Sequence, residues 1–143
     1  MKLNVQGLEA LHQREGLRLK PYLDTQGIPT IALGNTFYQD GKKVTMQDKP
    51  LTMEQATRLA DTIIAKFEKV VNEAVKTKLT QNQFNSLVSF TYNIGPAGFK
   101  SSTVLKLVNK NPNDPKIKDA FMMWTKNKEL IGRRASEVNQ YFK

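Results

Sequence analysis

The segment Glu15-Gly16-Leu17-Arg18-Leu19-Lys20-Pro21-Tyr22-Leu23-Asp24-Thr25-Gln26-Gly27-Ile28-Pro29-Thr30 constrains this chain more than any other. Upstream of it, Val5, Leu8 and Leu11 recur at a spacing of three, which predicts a helix over 4–14. Gly16 follows, and glycine readily takes the left-handed conformation that ends a helix. The chain then extends through Leu17, Leu19 and Tyr22 to Asp24-Thr25-Gln26-Gly27, a type I turn with Asp first and Gly fourth. Ile28 to Leu33 reads as a short apolar strand. A helix end and a hairpin are both rigid, so the carboxyl groups of Glu15 and Asp24 are expected at a defined separation. Asp40-Gly41 offers a second hairpin turn, between 36–38 and 42–46.

Two carboxylates across a cleft are what glycosidic bond cleavage needs: one donates a proton to the leaving oxygen, the other activates water or attacks the sugar carbon. A donor must stay protonated near neutral pH, which burial favours. Glu15 follows Leu11 on the side of its helix expected to be buried, and suits that role. Asp24, on a turn, would be more solvated and ionised. Thr30 carries a hydroxyl that could position a water, behind the stiffening Pro29. Residue types and spacing alone leave the plainer alternative open. A Glu at a helix end is ordinary, Asp24 can simply bond its own turn, and Thr30 can simply be a strand residue.

The window resembles the active-site segment of phage-type lysozymes, the endolysins that cut cell-wall peptidoglycan. That family shows a Glu, an Asp nine residues on and a Thr six beyond it, and here these are Glu15, Asp24 and Thr30. Pro29-Thr30-Ile31, Gly34 and Thr36 also match. The likeness continues through Leu79–Phe90, Tyr92-Asn93-Ile94-Gly95, Gly98-Phe99, Ser101-Ser102-Thr103 and Gly132-Arg133-Arg134-Ala135-Ser136-Glu137 to Phe142. It runs in order over nearly the whole chain.

The resemblance implies an α+β, mainly α-helical, two-lobed lysozyme-like fold. A small β-hairpin lobe (about 15–50) and a helical lobe (about 79–143 with the N-terminal helix) would be joined by a long helix (about 52–78), in a single 1–143 domain. It implies a muramidase that hydrolyses the β-1,4 bond between N-acetylmuramic acid and N-acetylglucosamine. Glu15 would be the general acid, Asp24 the second carboxylate and Thr30 the holder of the water. Inversion is the expected outcome, which requires carboxyl groups about 6.5–9.5 Å apart. Thr36, Tyr92 and Ser102 would contact substrate, with local packing and capping as the alternative. Arg134 would support the acid, with a solvated helix face as the alternative. Two positions depart from the pattern: Asn35 stands where the family usually has His, and Ala32 where Gly is common. Asn can hydrogen-bond only as a neutral group, so local stability and pH profile are the properties put in question.

Composition excludes several other chemistries. There is no cysteine, and His12 is the only histidine, so no His-based triad or zinc thiolate can form. No cofactor or metal is expected. His12 itself reads as a helix-surface residue. At 143 residues the chain is one folding unit, with no run of 18 apolar residues. The N-terminal residues lack a signal pattern. The expectation is therefore a monomer held in the host cytoplasm without a membrane anchor, released by a separate membrane-permeabilising protein. The net charge of +9, from 22 basic and 13 acidic residues, suits a negatively charged wall. Nucleic acid would be an equally good electrostatic partner. The charge is spread along the chain, however, and a nucleic-acid partner is not expected.

The remaining helices follow from caps and periodicity. Thr52 with Gln55 reads as a capping box, and apolar positions from Ala56 to Val75 predict one long helix to about Lys76, straight or bent. Thr80 with Gln83 is a second capping box, for a helix ended by Gly95-Pro96. Ser101 or Ser102 caps a short helix through Val108, Asp114-Pro115 starts one through Trp124, and the last runs from about Gly132 to Phe142. Phe84, Phe90, Phe99, Phe121, Trp124 and Phe142 are expected in the core. The rival functions are a lytic transglycosylase, a non-catalytic wall-binding protein and a basic nucleic-acid binder. Asp24 and Thr30 argue against the first two.

Overall fold

Capping chemistry sets most helix boundaries in the computed structural model, which describes residues 1–143. Asn4 accepts from the Gly7 amide (3.0 Å) and opens α1 (Val5–Glu15), which Gly16 closes at φ +72° with its amide on the His12 carbonyl. Strands β1 (Arg18–Leu23) and β2 (Pro29–Ala32) pair antiparallel, Tyr22 opposite Thr30 and Leu23 opposite Pro29, with an irregularity between Arg18 and Tyr22. The Thr52–Gln55 capping box forms with both bonds, 2.9 and 3.1 Å, and starts α2 (Met53–Ala74). The Thr80–Gln83 box likewise starts α3 (Gln81–Ile94), which ends at Gly95. Short helices α4 (Pro96–Ser101), α5 (Thr103–Lys110) and α6 (Ile117–Met122) lead to α7 (Lys128–Tyr141). The class is the α+β, mainly helical one expected. No helix is long and apolar enough to cross a membrane.

The chain divides into two compact units, Ala10–Lys66 and Met1–Glu9 with Phe67–Lys143, so α1 and α2 each contribute to both. In the unit 10–66, Ile31, Ala32, Val44, Ala56 and Leu59 form the apolar centre, with Leu17, Leu19, Tyr38 and Leu51 packed on it. The Asp40-Gly41 turn closes as expected, with Tyr38 and Lys42 hydrogen-bonded across it at 2.9 Å. It makes only the isolated Phe37–Lys43 bridge and no regular strands.

In the unit containing 67–143, Phe84, Leu87, Phe90, Phe99 and Phe121 are all fully buried. Burying each such side chain contributes about 1.5–3 kcal/mol. The Phe90 ring is the hub, 4.8 Å from Phe121, 6.1 Å from Trp124 and 6.4 Å from Phe99 between centroids. The N-terminal residues are tied down here: the Leu3 amide donates to Glu68 at 2.7 Å.

Several expectations need correction. Helix α7 starts at Lys128, not near Gly132, because Asn127 accepts from the Leu130 amide and caps it; Gly132 lies inside the helix with open space around it. Helix α6 spans only Ile117–Met122. Asp114 and Pro115 build an i to i+3 turn first, and i to i+3 bonds from Ala120 and Phe121 also close its far end. The α4 turn was not anticipated. Phe142 is 45% exposed and Tyr141 takes the core position instead. Val5, 65% exposed, lies off the buried stripe of α1. His12 is half-buried rather than superficial: its Nε2 is buried and has no hydrogen-bond partner.

Candidate active site

The unit 10–66 carries both carboxylates. Glu15 is the last residue of α1 and is half-buried, at the point where Gly16 turns the chain into β1. Asp24 sits where β1 ends, and its side chain does what the plainer reading allowed. Its Oδ1 accepts from the amides of Gln26 (2.8 Å) and Ile28 (2.9 Å). Its backbone completes the turn, with the Asp24 amide on the Ile28 carbonyl and the Gly27 amide on the Asp24 carbonyl, each 3.0 Å. Gly27 takes φ +77°, which closes the turn without Cβ strain.

Thr30 is buried in β2, 2% exposed, with its hydroxyl donating to the Ile28 carbonyl at 2.8 Å. Asp24 and Thr30 are thus fixed on one peptide neighbourhood. With its proton on Ile28, the Thr30 hydroxyl has lone pairs left to accept from a water. Asp24 commits Oδ1 to the turn, and Oδ2 takes no part in these bonds.

Thr36 lines two concavities of this unit. One, about 320 Å³, is formed with Ile28, Pro29, Phe37, Lys43 and Val44. The other, about 360 Å³, has Asn35, Tyr38, Thr62 and Lys66 among its walls. Asn35 is buried and lies in the backbone bridge to Ile31. The intervening Ala32 takes φ +57°, the left-handed region where Gly is at home. This is the strain behind the Gly-to-Ala departure noted in the sequence.

The other unit holds the remaining residues singled out. Tyr92, on α3, stacks at a tilt on Phe67, centroids 4.9 Å apart. Ser102 is 2% exposed and caps α5: its hydroxyl donates to the Phe99 carbonyl (2.7 Å) and accepts from the Leu105 amide (3.1 Å). Arg134 is fully buried, against the solvated-face alternative. It donates to Glu137 Oε1 (2.6 Å), the Trp124 carbonyl (3.1 Å) and Asn93 Oδ1, and lies over the Phe90 ring at 5.1 Å. Arg133 reaches Glu137 Oε2 (3.2 Å) and the Ser89 carbonyl (3.0 Å). Glu137, itself fully buried, therefore neutralises charge from both arginines and accepts from Ser89 at 2.6 Å. Sequence reasoning missed Glu137 and Asn93. For Glu137 the spacing was readable, since it stands three and four residues after the two arginines, on one helix face. For Asn93, on another helix, no local signal existed.

No group of three or more His, Cys, Asp or Glu side chains is arranged to hold a metal. The site is an acid and an acid–hydroxyl pair on rigid backbone, a constellation suited to moving protons and a water.

The sequence pattern of the Phage lysozyme family matches residues 12–137. The chain is 36% identical over 126 residues to the endolysin of Salmonella phage P22, covering 88% of this chain and 85% of that one. Among solved structures, the endolysin from Escherichia coli O157:H7 phage FAHEc1 matches with a TM-score of 0.89 at 38% identity, over 100% of this chain and 94% of that chain. The crystal structure of a P22 lysozyme mutant matches with a TM-score of 0.92 at 34% identity, over 100% of this chain and 99% of that chain. Glu15, Asp24 and Thr30 all lie inside the matched region, and the chain belongs to the phage lysozyme family: it is a lysozyme-type glycoside hydrolase, an endolysin.

Proposed function

We propose that this endolysin hydrolyses the β-1,4 bond between N-acetylmuramic acid and N-acetylglucosamine in bacterial peptidoglycan, with inversion at the anomeric carbon. The observation that carries the reading is the joint anchoring of Asp24 and Thr30 on Ile28, next to a strand that begins two residues after the Glu15–Gly16 helix end.

Glu15 protonates the leaving oxygen as the bond breaks. A water accepted by Thr30 Oγ1 loses its proton to Asp24 Oδ2 and attacks from the opposite face of the sugar. Two separate groups, one for the proton and one for the water, are the arrangement of an inverting enzyme. Thr36 and Tyr92 contact the glycan. Ser102 keeps its cap and contacts the glycan at the start of α5. Arg134, held by Glu137 and Asn93, is a supporting residue. The +9 charge draws the enzyme to an anionic wall. The enzyme works as a monomer, waits in the host cytoplasm and reaches the wall when a separate protein permeabilises the membrane.

Digestion of purified peptidoglycan by wild type and Glu15→Gln, with products identified by mass, tests this. New reducing ends from wild type alone are expected. Anhydro-muramyl products would make the enzyme a transglycosylase, and turnover by Glu15→Gln at the wild-type rate would remove Glu15 from the mechanism.

A further inference from the structure

We infer that Asn35 is a positioning residue for catalysis, an uncharged clamp that fixes the Thr30 strand to α2 through Thr62 and Leu59. The inference rests on the proposed role of Thr30.

Asn35 is 4% exposed and every polar group it carries is used. Its backbone amide donates to the Ile31 carbonyl (2.9 Å), and its carbonyl accepts from the Ile31 amide (2.8 Å). Its Oδ1 accepts from the Leu33 amide (3.3 Å). Its Nδ2 donates to the Leu59 carbonyl (3.1 Å) and to Thr62 Oγ1 (3.3 Å). The Thr62 hydroxyl in turn donates to the same Leu59 carbonyl at 2.6 Å, which fixes its lone pairs toward Asn35.

The geometry makes this more than a filled core position. Ile31 directly follows Thr30, so the doubly bonded Ile31–Asn35 pair is a fixed point beside the Thr30 hydroxyl, on the strand that carries it. Between them the chain passes through Ala32 at φ +57° and Gly34 at φ +90°. A non-glycine residue in the left-handed region is strained and persists only where its surroundings over-determine it. The two backbone bonds close that turn, and the side-chain bonds of Asn35 tie it down: one to Leu33 inside it, two to α2 outside it. Without them the turn relaxes Ala32 and the strand end moves. A water-holding hydroxyl tolerates little movement, since misplacement by about 1 Å can cost about a hundredfold in rate. Both ends of the clamp are neutral, so it is a fixed support and not a titrating one.

The test uses the whole chain and two pairs of variants. Thr62→Val removes the hydroxyl at constant shape, and Thr62→Ser restores it. Asn35→Ala removes the clamp, and Asn35→Ser keeps a short polar group that cannot span to α2. With soluble peptidoglycan fragments, Thr62→Val is expected to lower kcat about 10-fold with KM within about twofold, and Thr62→Ser to return to the wild-type rate. Amide hydrogen exchange gives a readout independent of turnover: the Ile31 and Asn35 amides should exchange faster in Asn35→Ala and Thr62→Val than in wild type or Thr62→Ser. Folded Thr62→Val with wild-type kcat and unchanged exchange would overturn the inference. If Asn35→Ala does not fold, the Thr62 pair still decides. If wild type releases no reducing ends, the proposed function fails, and the exchange rates alone decide whether the clamp exists.

Discussion

Asp24 and Thr30 hold the same carbonyl. The Asp24 amide donates to the Ile28 oxygen at 3.0 Å and the Thr30 hydroxyl donates to it at 2.8 Å, while Asp24 Oδ1 accepts from the Ile28 amide at 2.9 Å. A single residue, Ile28, therefore ties together a carboxylate and a hydroxyl six residues apart. In the proposed mechanism the turn is scaffold and catalytic group at once, and the two roles of Asp24 can be separated.

Asp24→Asn retains an Oδ1 acceptor for Gln26 and Ile28 but has no charge with which to take a proton. Its turnover should fall by about 10²–10⁴, while the two turn bonds keep their neutral worth of about 0.5–1.5 kcal/mol each. Asp24→Ala loses the same turnover and also the two turn bonds, each contributing about 1.5–3 kcal/mol because the acceptor is charged. Peptidoglycan hydrolysis and thermal melts on both variants check this. Equal stability loss in the two would mean that the turn depends on the charge and not on the acceptor.

Glu137→Ala removes the shared counter-ion of two arginines in a buried site. Arg134 is 1% exposed at its side chain, so it is left charged with only neutral partners. Breaking a buried pair in this way costs about 3–5 kcal/mol. Urea unfolding of the variant should show that loss. A change below about 1 kcal/mol would place the charge balance elsewhere.

His12 carries a pH prediction. Burial pushes its pKa below the ordinary 6.5, with Asp61 opposing the shift. The unfolded chain, near the ordinary value, binds its proton first as pH falls. Stability from this residue is therefore complete above about pH 6.5 and declines as pH drops below it toward the folded pKa. His12→Gln should flatten that part of the curve. Urea midpoints at about pH 7.5 and about pH 5.5 for the two proteins measure it, and identical declines would remove His12 as the cause.

Gly7→Ala should destabilise although Gly7 lies inside a helix. A Cβ there would meet the Asn85 side chain at 2.5–2.9 Å. Asn85 cannot swing away, being 1% exposed and bonded to both Asn4 and Gln81 at 2.8 Å. Overpacking of this kind costs about 1–3 kcal/mol. A melt at or above the wild-type midpoint would show that Asn85 can repack.

Local chemistry was legible wherever a short window contains both partners. The capping boxes at Thr52 and Thr80, the Asp24 turn, the Gly16 and Gly95 helix ends and the Ser102 cap all bond within four residues, so residue order determined them. The order Glu15, Asp24, Thr30 determined the family. What the sequence did not decide are contacts between segments far apart in the chain. Tyr141 rather than Phe142 is buried because Tyr141, the last residue of α7, packs inward with its hydroxyl on the distant Pro112 carbonyl, while Phe142 caps the helix end outside. Arg134 reads like a surface charge until α3 brings Asn93 and Ser89 to its helix and Glu137 takes up the charge. Asn35 reads as a loss relative to a histidine until α2 supplies Leu59 and Thr62. His12 reads as exposed until the packing of its unit buries Nε2 without a partner. For Tyr141, Arg134 and Asn35 burial and a partner 24 or more residues away decide the role, and for His12 burial alone does; all are properties of the folded chain, since desolvation sets the cost of a polar group and only tertiary packing supplies the bond that offsets it.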